Sequence, residues 1–374
     1  MKYAFPDNFW WGSASSALQT EGAREGETTW DYWFAREPNR FHNGVGPQHT
    51  STFYQHWKTD IQLLKQLNHN SFRTSISWAR LIPDGIGEVN PEAVDFYHQV
   101  IDELIEQGIT PFITLFHFDM PMAMQEIGGW ENRNVVDAYA RYAQICFDLF
   151  GDRVLHWFTF NEPIVVQTRV YLDALRWPYE QNTSTWMQWN HHKVLATAKV
   201  VQLFRAKGYP GSVGCILNPE VTYPRSCAPH DVNAAEKYDL FYNRVFLDPL
   251  VHGRYPPELF TLLEQHQVAW DYTAEELELI AQNTVDELGI NLYYPHRVKA
   301  PSRAWHPETP FHPAYYYEPF ELPGRRMNTS RGWEIFPRII YDMAMRIKND
   351  YRNIEWFVAE SGMGVENEAQ FRNR

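Results

Sequence analysis

The stretch HWFTFNEP, residues 156–163, carries a β-branched and aromatic segment directly into Asn161, Glu162 and Pro163. Such segments favour buried strands, whereas a glutamate is seldom buried without a partner. One explanation is ordinary: Glu162 begins an exposed loop, and Pro163 marks the turn. The other explanation is that the strand aims the Glu162 carboxylate into a functional site. The arrangement of the other segments of the chain distinguishes between these two explanations.

Segments of strand character alternate with segments of helical character along the chain. The strand-like segments are 9–14, 71–78, 110–118, 154–160, 212–218, 287–294 and 354–360. The helical segments are 57–68, 90–108, 134–151, 191–208, 233–253 and 336–351. This alternation is typical of parallel βαβ units. It is compatible with two architectures, an open doubly wound sheet and a closed (β/α)8 barrel.

The connection that follows the first strand-like segment favours the barrel. Its sequence, WGSASSALQTEG, lacks the G-x-G-x-x-G turn that binds dinucleotide phosphates in doubly wound sheets. We therefore predict an α/β protein with a (β/α)8 TIM barrel in a single domain over residues 1–374. Because only seven strand-like segments precede Arg374, we expect the eighth βα unit to be absent from this chain.

Composition and charge limit the classes of partner. The net charge of −13 disfavours binding to nucleic acid and to anionic membranes. The 3 cysteines are an odd number without CxxC spacing, which argues against a disulfide framework or a cysteine metal site. Pro6 and Asp7 interrupt the apolar run that a signal peptide would need. We expect a cytoplasmic protein without metal or cofactor, and a homo-oligomer is compatible with these features.

Polar side chains lie on the strand-like segments or just after them, and strand termini converge at one end of a barrel. They are Gln19, Arg73, His117, Asn161, Glu162, Asn291, Tyr293 and Glu360. Loop residues are usually polar, so the two glutamates three strands apart are the stronger signal. Two carboxylates that face each other across a cleft suit glycoside hydrolysis. One carboxyl donates a proton to the leaving oxygen, and the other attacks the anomeric carbon.

Three of these residues also have purely structural explanations. Arg73 and Tyr293 are candidates for holding Glu360, but Arg73 could belong to a structural ion pair and Tyr293 could pack in the core. His117 could bond a sugar hydroxyl or could be a histidine whose hydrogen bonds are satisfied within the core. The residues considered singly leave these alternatives open.

Five motifs at these positions resemble those of glycoside hydrolase family 1, and they occur in that family's order. They are FPDNFWWGSASSALQTEG (5–22), FHFDMP (116–121), FTFNEP (158–163), GINLYY (289–294) and VAESGMG (358–364). The resemblance covers essentially all 374 residues. It implies a (β/α)8 barrel and a retaining double displacement on β-glycosides.

The resemblance also implies a role for each candidate residue. Glu162 matches the acid/base of the family and Glu360 matches its nucleophile. Arg73 and Tyr293 match the residues that position the nucleophile. The positions that match the hydroxyl-binding residues of the glycone site are Gln19, His117, Asn161 and Asn291.

The chain departs from the usual family pattern at two motif positions. Phe118 stands where the family usually has Trp, and Ser361 stands where it usually has Asn. The Phe form and the segment 223–256 resemble the branch that acts on 6-phospho-sugars. Members of the family continue beyond the point that matches Arg374, into the residues that bind a 6-phosphate or a plain sugar.

We therefore predict a retaining β-glycosidase, an enzyme that hydrolyses O-glycosyl bonds. The preferred assignment is a 6-phospho-β-glucosidase whose substrate is a 6-phosphorylated disaccharide or aryl glucoside. A plain β-glucosidase is the alternative within this class of enzyme. An inactive sugar-binding barrel is the alternative outside it.

Overall fold

Parallel strands and helices alternate along the chain in this computed structural model, which describes residues 4–303, 309–328 and 330–364. The strands are β1 (Gly12–Ala14), β2 (Ser71–Ser75), β3 (Thr110–Thr114), β4 (His156–Asn161), β5 (Ser212–Leu217), β6 (Thr222–Pro224), β7 (Glu287–Asn291), β8 (His296–Lys299), β9 (Glu318–Pro319), β10 (Met327–Asn328), β11 (Trp333–Glu334) and β12 (Glu355–Glu360). Seven of them form the parallel sheet, which confirms the predicted α/β class and the seven predicted strands.

Helices connect these strands. They are α1 (Ala17–Thr20), α2 (Thr29–Arg36), α3 (Phe53–Gln66), α4 (Trp78–Leu81), α5 (Pro91–Glu106), α6 (Met122–Glu126), α7 (Arg133–Phe150), α8 (Val165–Gln167), α9 (Thr183–Lys207), α10 (Pro229–Asp239), α11 (Val245–His252), α12 (Pro257–Gln265), α13 (Ala274–Gln282) and α14 (Arg338–Asp350). Within the described ranges, no helix is both long and apolar enough to cross a membrane.

Helix α5 shows why the stronger sequence signals were reliable. The side chain of Asn90 accepts a hydrogen bond from the backbone N–H of Glu92 at 3.0 Å, and Pro91 occupies the first helical position. Gly108 follows the helix with a φ of +70°, which glycine adopts without steric cost. The predicted helix over 90–108 therefore differs from the observed one only at its ends.

Two predicted helices have other bounds in the structure. The segment 191–208 is only the later part of α9. Polar and apolar residues are not separated onto two faces of this helix, so no periodic pattern marks where α9 begins. The segment 233–253 is divided into α10 and α11 by a π-helical turn at Leu240–Arg244. In α11, Pro249 has no N–H to donate to the carbonyl of Val245.

Strands β6 and β8–β11 were not predicted, since they are too short to show a period.

The chain divides into two compact units. The first consists of Met1–Asn161 and Lys199–Cys215, and the second of Glu162–Ala198 and Ile216–Arg374. The boundary between them falls at the peptide bond that joins Asn161 to Glu162. A single domain over residues 1–374 stays a prediction.

The first unit contains the strand order β1-β2-β3-β4-β5 of the parallel sheet. Its core contains Tyr142 of α7, whose ring stacks on Trp78 with centroids 5.3 Å apart. The Tyr142 hydroxyl donates to the carbonyls of Ile76 and Leu115, each at 2.9 Å. This buried phenol therefore satisfies backbone carbonyls just beyond β2 and β3, and it fixes the two strand ends from which site residues project.

The second unit contains the last residues of β5 together with β7 and β12 of the parallel strand order. Strands β7 and β12 pair from Glu287↔Glu355 to Asn291↔Glu360, with an irregularity in register between Val358 and Glu360. A three-stranded sheet of order β6-β8-β9 packs against α10 through a small core in which Tyr238 and Val298 are buried. Strands β10 and β11 form a separate antiparallel pair.

Candidate active site

The backbone at the end of β4 turns sharply at Glu162. The φ of Glu162 is +46°, in the left-handed region that non-glycine residues rarely adopt. Pro163 follows it, and a proline normally pushes the residue before it toward extended backbone. Strain of this kind costs roughly 1–3 kcal/mol and persists only where the surroundings fix it. Here the Glu162 N–H donates to the carbonyl of Ile216 at 2.8 Å, and its carbonyl accepts from Val165 at 3.1 Å.

The end of β7 supplies one hydrogen-bond donor to each of the two glutamates. The amide nitrogen Nδ2 of Asn291 donates to Oε1 of Glu162 at 2.8 Å. Two residues further on, the phenol of Tyr293 donates to Oε2 of Glu360. Residues two apart in an extended chain project to the same side. The structure therefore brings together four of the predicted site residues, Asn291 with Glu162 and Tyr293 with Glu360.

The main chain beside Glu360 is also tied to β7. The N–H of Leu292 donates to the carbonyl of Glu360 at 2.9 Å. The register irregularity between Val358 and Glu360 lies directly before the glutamate, which is half-buried. Irregularities of this type re-aim a side chain at the end of a strand. The Glu360 carboxyl is thus directed by the strand end and oriented by the Tyr293 phenol.

Three predicted residues of the first unit form a buried cluster. A guanidinium nitrogen of Arg73 donates to Nδ1 of His117 at 3.2 Å and to Oδ1 of Asn161 at 3.3 Å. Nδ2 of Asn161 lies 3.2 Å from Nε2 of His117. Burial, together with the positive charge of Arg73, lowers the pKa of His117 well below its usual range. A neutral imidazole next to an amide and a guanidinium is suited to bonding hydroxyl groups.

Asp119 and Phe118, which follow His117 in the chain, make hydrogen bonds that fix the backbone of this segment. Asp119 is buried and accepts hydrogen bonds from the backbone N–H groups of His117 at 3.2 Å and Trp78 at 3.1 Å. Burial raises the pKa of Asp119. Phe118 has a φ of +72°, and its carbonyl accepts from the indole of Trp30 at 3.1 Å. The Phe118 backbone is therefore strained and held at the position where the sequence departs from the family pattern.

Gln19 differs from the other predicted residues because it is exposed. Its Oε1 accepts a hydrogen bond from the hydroxyl of Ser16 at 2.8 Å. Ser16 itself is buried at the start of α1, so it anchors the side chain that Gln19 presents at the surface.

A polar cluster in the second unit was not predicted from the sequence. The carboxyl of Glu220 accepts from the Tyr238 phenol and lies 3.2 Å from Nδ1 of His296. Loss of solvation raises the pKa of Glu220 to about 8, and the negative charges of Glu162 and Asp173 add to this shift. Loss of solvation also lowers the pKa of His296 to about 3. Both shifts favour the uncharged forms of the two groups.

A weak signal for this cluster exists in the sequence. Glu220 follows β5 and His296 follows the GINLYY motif, so both lie just beyond strand ends where barrel sites collect polar residues. The effect of the Glu162 charge on Glu220 indicates that the two carboxyls influence each other electrostatically. In the ranges that the structure describes, no group of three His, Cys, Asp or Glu side chains is arranged to hold a metal ion.

The chain is similar to proteins of one enzyme family along its whole length. The model of Glycosyl hydrolase family 1 matches residues 1–373. The 6-phospho-beta-glucosidase GmuD of Bacillus subtilis (strain 168) is 52% identical over 376 residues, which cover 100% of this chain and 81% of the relative. Beta-glucosidase A of Acetivibrio thermocellus is 34% identical over 372 residues, which cover 98% of this chain and 81% of the relative.

The fold is similar to that of solved structures as well. A family 1 b-glucosidase from Thermotoga maritima superposes with a TM-score of 0.86 at 31% sequence identity, over 97% of this chain and 79% of the other. The similarity of sequence and that of fold therefore extend over the strand ends that carry the candidate site residues.

Proposed function

Because this chain belongs to glycosyl hydrolase family 1 and is a retaining β-glycosidase with the TIM-barrel fold, we propose that it hydrolyses 6-phospho-β-glucosides. In this proposal Glu360 is the nucleophile and Glu162 is the acid/base. The observation that carries the assignment of the two glutamates is their separate contacts with the end of β7. Asn291 bonds one carboxyl and Tyr293 bonds the other.

In the first step, Glu360 attacks the anomeric carbon and forms an ester bond to the sugar. The glycosidic carbon–oxygen bond breaks, and Glu162 transfers its proton to the leaving oxygen. A phenol that donates to the attacking carboxylate, as Tyr293 does to Glu360, orients the nucleophile without adding bulk at the reacting face. Arg73 is proposed to assist in holding the charge of Glu360.

In the second step, Glu162 acts as a base. It takes a proton from water, the water oxygen bonds to the anomeric carbon, and the ester bond to Glu360 breaks. Two inversions at the anomeric carbon leave the product with the β configuration of the substrate. Gln19, His117, Asn161 and Asn291 are proposed to bond the sugar hydroxyls. The hydrogen bond from Asn291 to Glu162 places this amide next to the acid/base.

The preference for a phosphorylated sugar is supported by identity and by one motif. The chain is 52% identical to a protein named as a 6-phospho-beta-glucosidase and 34% identical to one named as a beta-glucosidase. Phe118 also stands between His117 and Asp119 where Trp is usual in the family. The proposed substrate is a 6-phosphorylated disaccharide or aryl glucoside.

Nitrophenyl β-glucosides with and without a 6-phosphate test this proposal. We expect a larger kcat/KM for the phosphorylated substrate, and NMR should detect the β anomer as the first product. A larger kcat/KM for the plain glucoside would assign the chain to the β-glucosidases. Sugar binding without turnover of either substrate would contradict the enzymatic proposal.

A cytoplasmic location is proposed together with this substrate class, since a charged sugar phosphate does not cross a lipid bilayer readily. The cysteines agree with a reducing compartment: Cys146, Cys215 and Cys227 are free thiols. Cell fractionation tests the location. Self-association of the chain stays a prediction, which sedimentation analysis tests.

A further inference from the structure

Lys193 is a buried cation that the reaction described above does not use. It lies on α9 in the second unit, and only 2% of its surface is exposed. A buried ammonium is unfavourable unless hydrogen bonds replace the lost water. The sequence places it in a run of ordinary helix residues, HHKVLA (191–196), without any motif.

The contacts of Lys193 lead directly to the turn that carries Glu162. Its Nζ donates to the carbonyl of Pro163 at 2.8 Å and to Oε1 of Gln167 at 2.8 Å. Nε2 of Gln167 in turn donates to Oδ1 of Asn190 at 2.5 Å. Gln167 and Asn190 are fully buried, so these groups form one buried chain of hydrogen bonds that ends at the residue after Glu162.

The position of this contact matters because the turn is strained. Glu162 has its φ at +46°, and a backbone in this region persists only where neighbouring groups fix it. Pro163 is buried and has no N–H, so its carbonyl is its sole backbone group for hydrogen bonding. The Lys193 ammonium binds that carbonyl. The strained residue is thus fixed on its C-terminal side by a charge-assisted hydrogen bond, which is stronger than a neutral one.

We propose that Lys193 is a positioning residue for the acid/base, which acts by holding the carbonyl of Pro163 and thereby the direction of the Glu162 side chain. This inference rests on the proposed role of Glu162. It has a specific kinetic consequence. A misdirected acid slows the departure of a poor leaving group, whereas a good leaving group departs without protonation.

The test compares Lys193→Met with the wild type on two aryl glucosides, in whichever series the wild type hydrolyses, phosphorylated or plain. Phenol is the poor leaving group and 2,4-dinitrophenol the good one. We expect kcat/KM to fall about 10- to 100-fold with the phenyl glucoside, a part of the 10²–10⁴-fold that general acid catalysis contributes. The dinitrophenyl glucoside should change less than about threefold, since its departure needs little acid catalysis.

Lys199→Met is the matched control, because it makes the same substitution on the same helix. Lys199 is partly exposed and pairs with Asp137 at 2.5 Å, so its loss should affect neither substrate. Lys193→Arg keeps charged N–H donors and should recover at least part of the rate with the phenyl glucoside. If Lys193→Met does not accumulate as folded protein, Lys193→Gln gives the same comparison with the charge removed.

Equal losses with both substrates would overturn the inference, because a purely structural role lowers the amount of active enzyme and not its selectivity for leaving groups. Unchanged kinetics would overturn it as well. Glu162→Ala is the reference for the proposed function. If that variant shows no dependence on the leaving group, the role of Glu162 fails, whereas a dependence in Glu162→Ala without one in Lys193→Met rejects the role of Lys193 alone.

Discussion

Glu162 lies in a strained turn directly after β4, while Glu360 is the last residue of β12 itself. The Glu162 turn is strained and is held by buried groups that include the Lys193 ammonium. Glu360 is held by the phenol of Tyr293 and by the backbone of Leu292.

This difference agrees with the two tasks proposed for the carboxyls. An acid/base must keep one direction through both steps, since it gives a proton and then takes one back. A nucleophile forms and breaks a bond, and it needs orientation at the moment of attack. The strained, hydrogen-bonded turn therefore fixes the proposed acid/base, while the end of β7 and the Tyr293 phenol orient the proposed nucleophile. The experiments below separate these two means of control.

The largest effect is expected for Glu360→Ala. Without a nucleophile no glycosyl-enzyme can form, so kcat/KM should fall on the order of 10⁴-fold or more, as with the nucleophiles of other covalent mechanisms. A dinitrophenyl leaving group should not restore the rate. Added azide should give the α-glycosyl azide, which NMR identifies. Glu355→Gln changes an exposed glutamate on the same strand and serves as the control. A β-glycosyl azide would contradict the role of Glu360.

Glu162→Ala should be the next most damaging change, and its effect should depend on the substrate. Hydrolysis of the phenyl glucoside should fall about 10²- to 10⁴-fold, the usual contribution of a general acid. The first step with the dinitrophenyl glucoside should stay close to wild type, and azide should give the β-glycosyl azide. Glu180→Gln alters an exposed glutamate nearby in sequence and should have no effect. An equal loss with both leaving groups would show that Glu162 is not the acid.

Tyr293→Phe tests the orientation of Glu360 by one side chain. A hydrogen bond to a charged group contributes about 1.5–3 kcal/mol, which corresponds to a loss of about 10- to 100-fold in kcat/KM. Steady-state kinetics should assign most of this loss to kcat, while the melting temperature stays near the wild-type value. Tyr272→Phe is the control, since Tyr272 is 42% exposed. An unchanged kcat would mean that the phenol does not orient the nucleophile.

The last effect concerns the charges around Glu162 and is a change in stability with pH, not in catalytic rate. Burial raises the pKa of Glu220 to about 8, from an ordinary value of 4.5. Between these two pH values the folded protein keeps a proton that the unfolded chain releases, so this group makes the wild type less stable as pH rises. Glu220→Gln lacks this decline, so its stability relative to the wild type should increase from pH 4.5 to 8.

Thermal unfolding at several pH values measures this difference. It should amount to no more than about 5 kcal/mol, since the two pKa values differ by about 3.5 and one pKa unit corresponds to about 1.4 kcal/mol. Glu264→Gln changes an exposed glutamate and should leave the pH dependence as it is in the wild type. A constant difference between Glu220→Gln and wild type across this range would show that Glu220 titrates normally.

Local patterns in the sequence were sufficient to predict the architecture, and they named the two glutamates as candidate catalytic residues. The alternation of segments predicted the parallel strands, because amphipathic period and turn residues act over a few neighbouring positions. The Asn-Glu-Pro and Ala-Glu-Ser stretches predicted Glu162 and Glu360, because catalytic groups of a barrel follow its strands. The donors Asn291 and Tyr293 were predicted as site residues for the same reason. The contact of Tyr293 with Glu360 was predicted as well, whereas that of Asn291 with Glu162 was not.

Tertiary structure alone decided which side chains support the site. Lys193 lies 30 residues from Pro163 in the chain, and a helix pattern does not reveal that one of its lysines is buried. The left-handed backbone at Glu162 and Phe118 has no sequence signal either, since neither residue prefers it. The sequence by itself determined the order of the strands and predicted which strand ends carry candidate functional groups. Packing between distant segments determined how each group is held, because burial and hydrogen bonding depend on neighbours that only the folded chain provides.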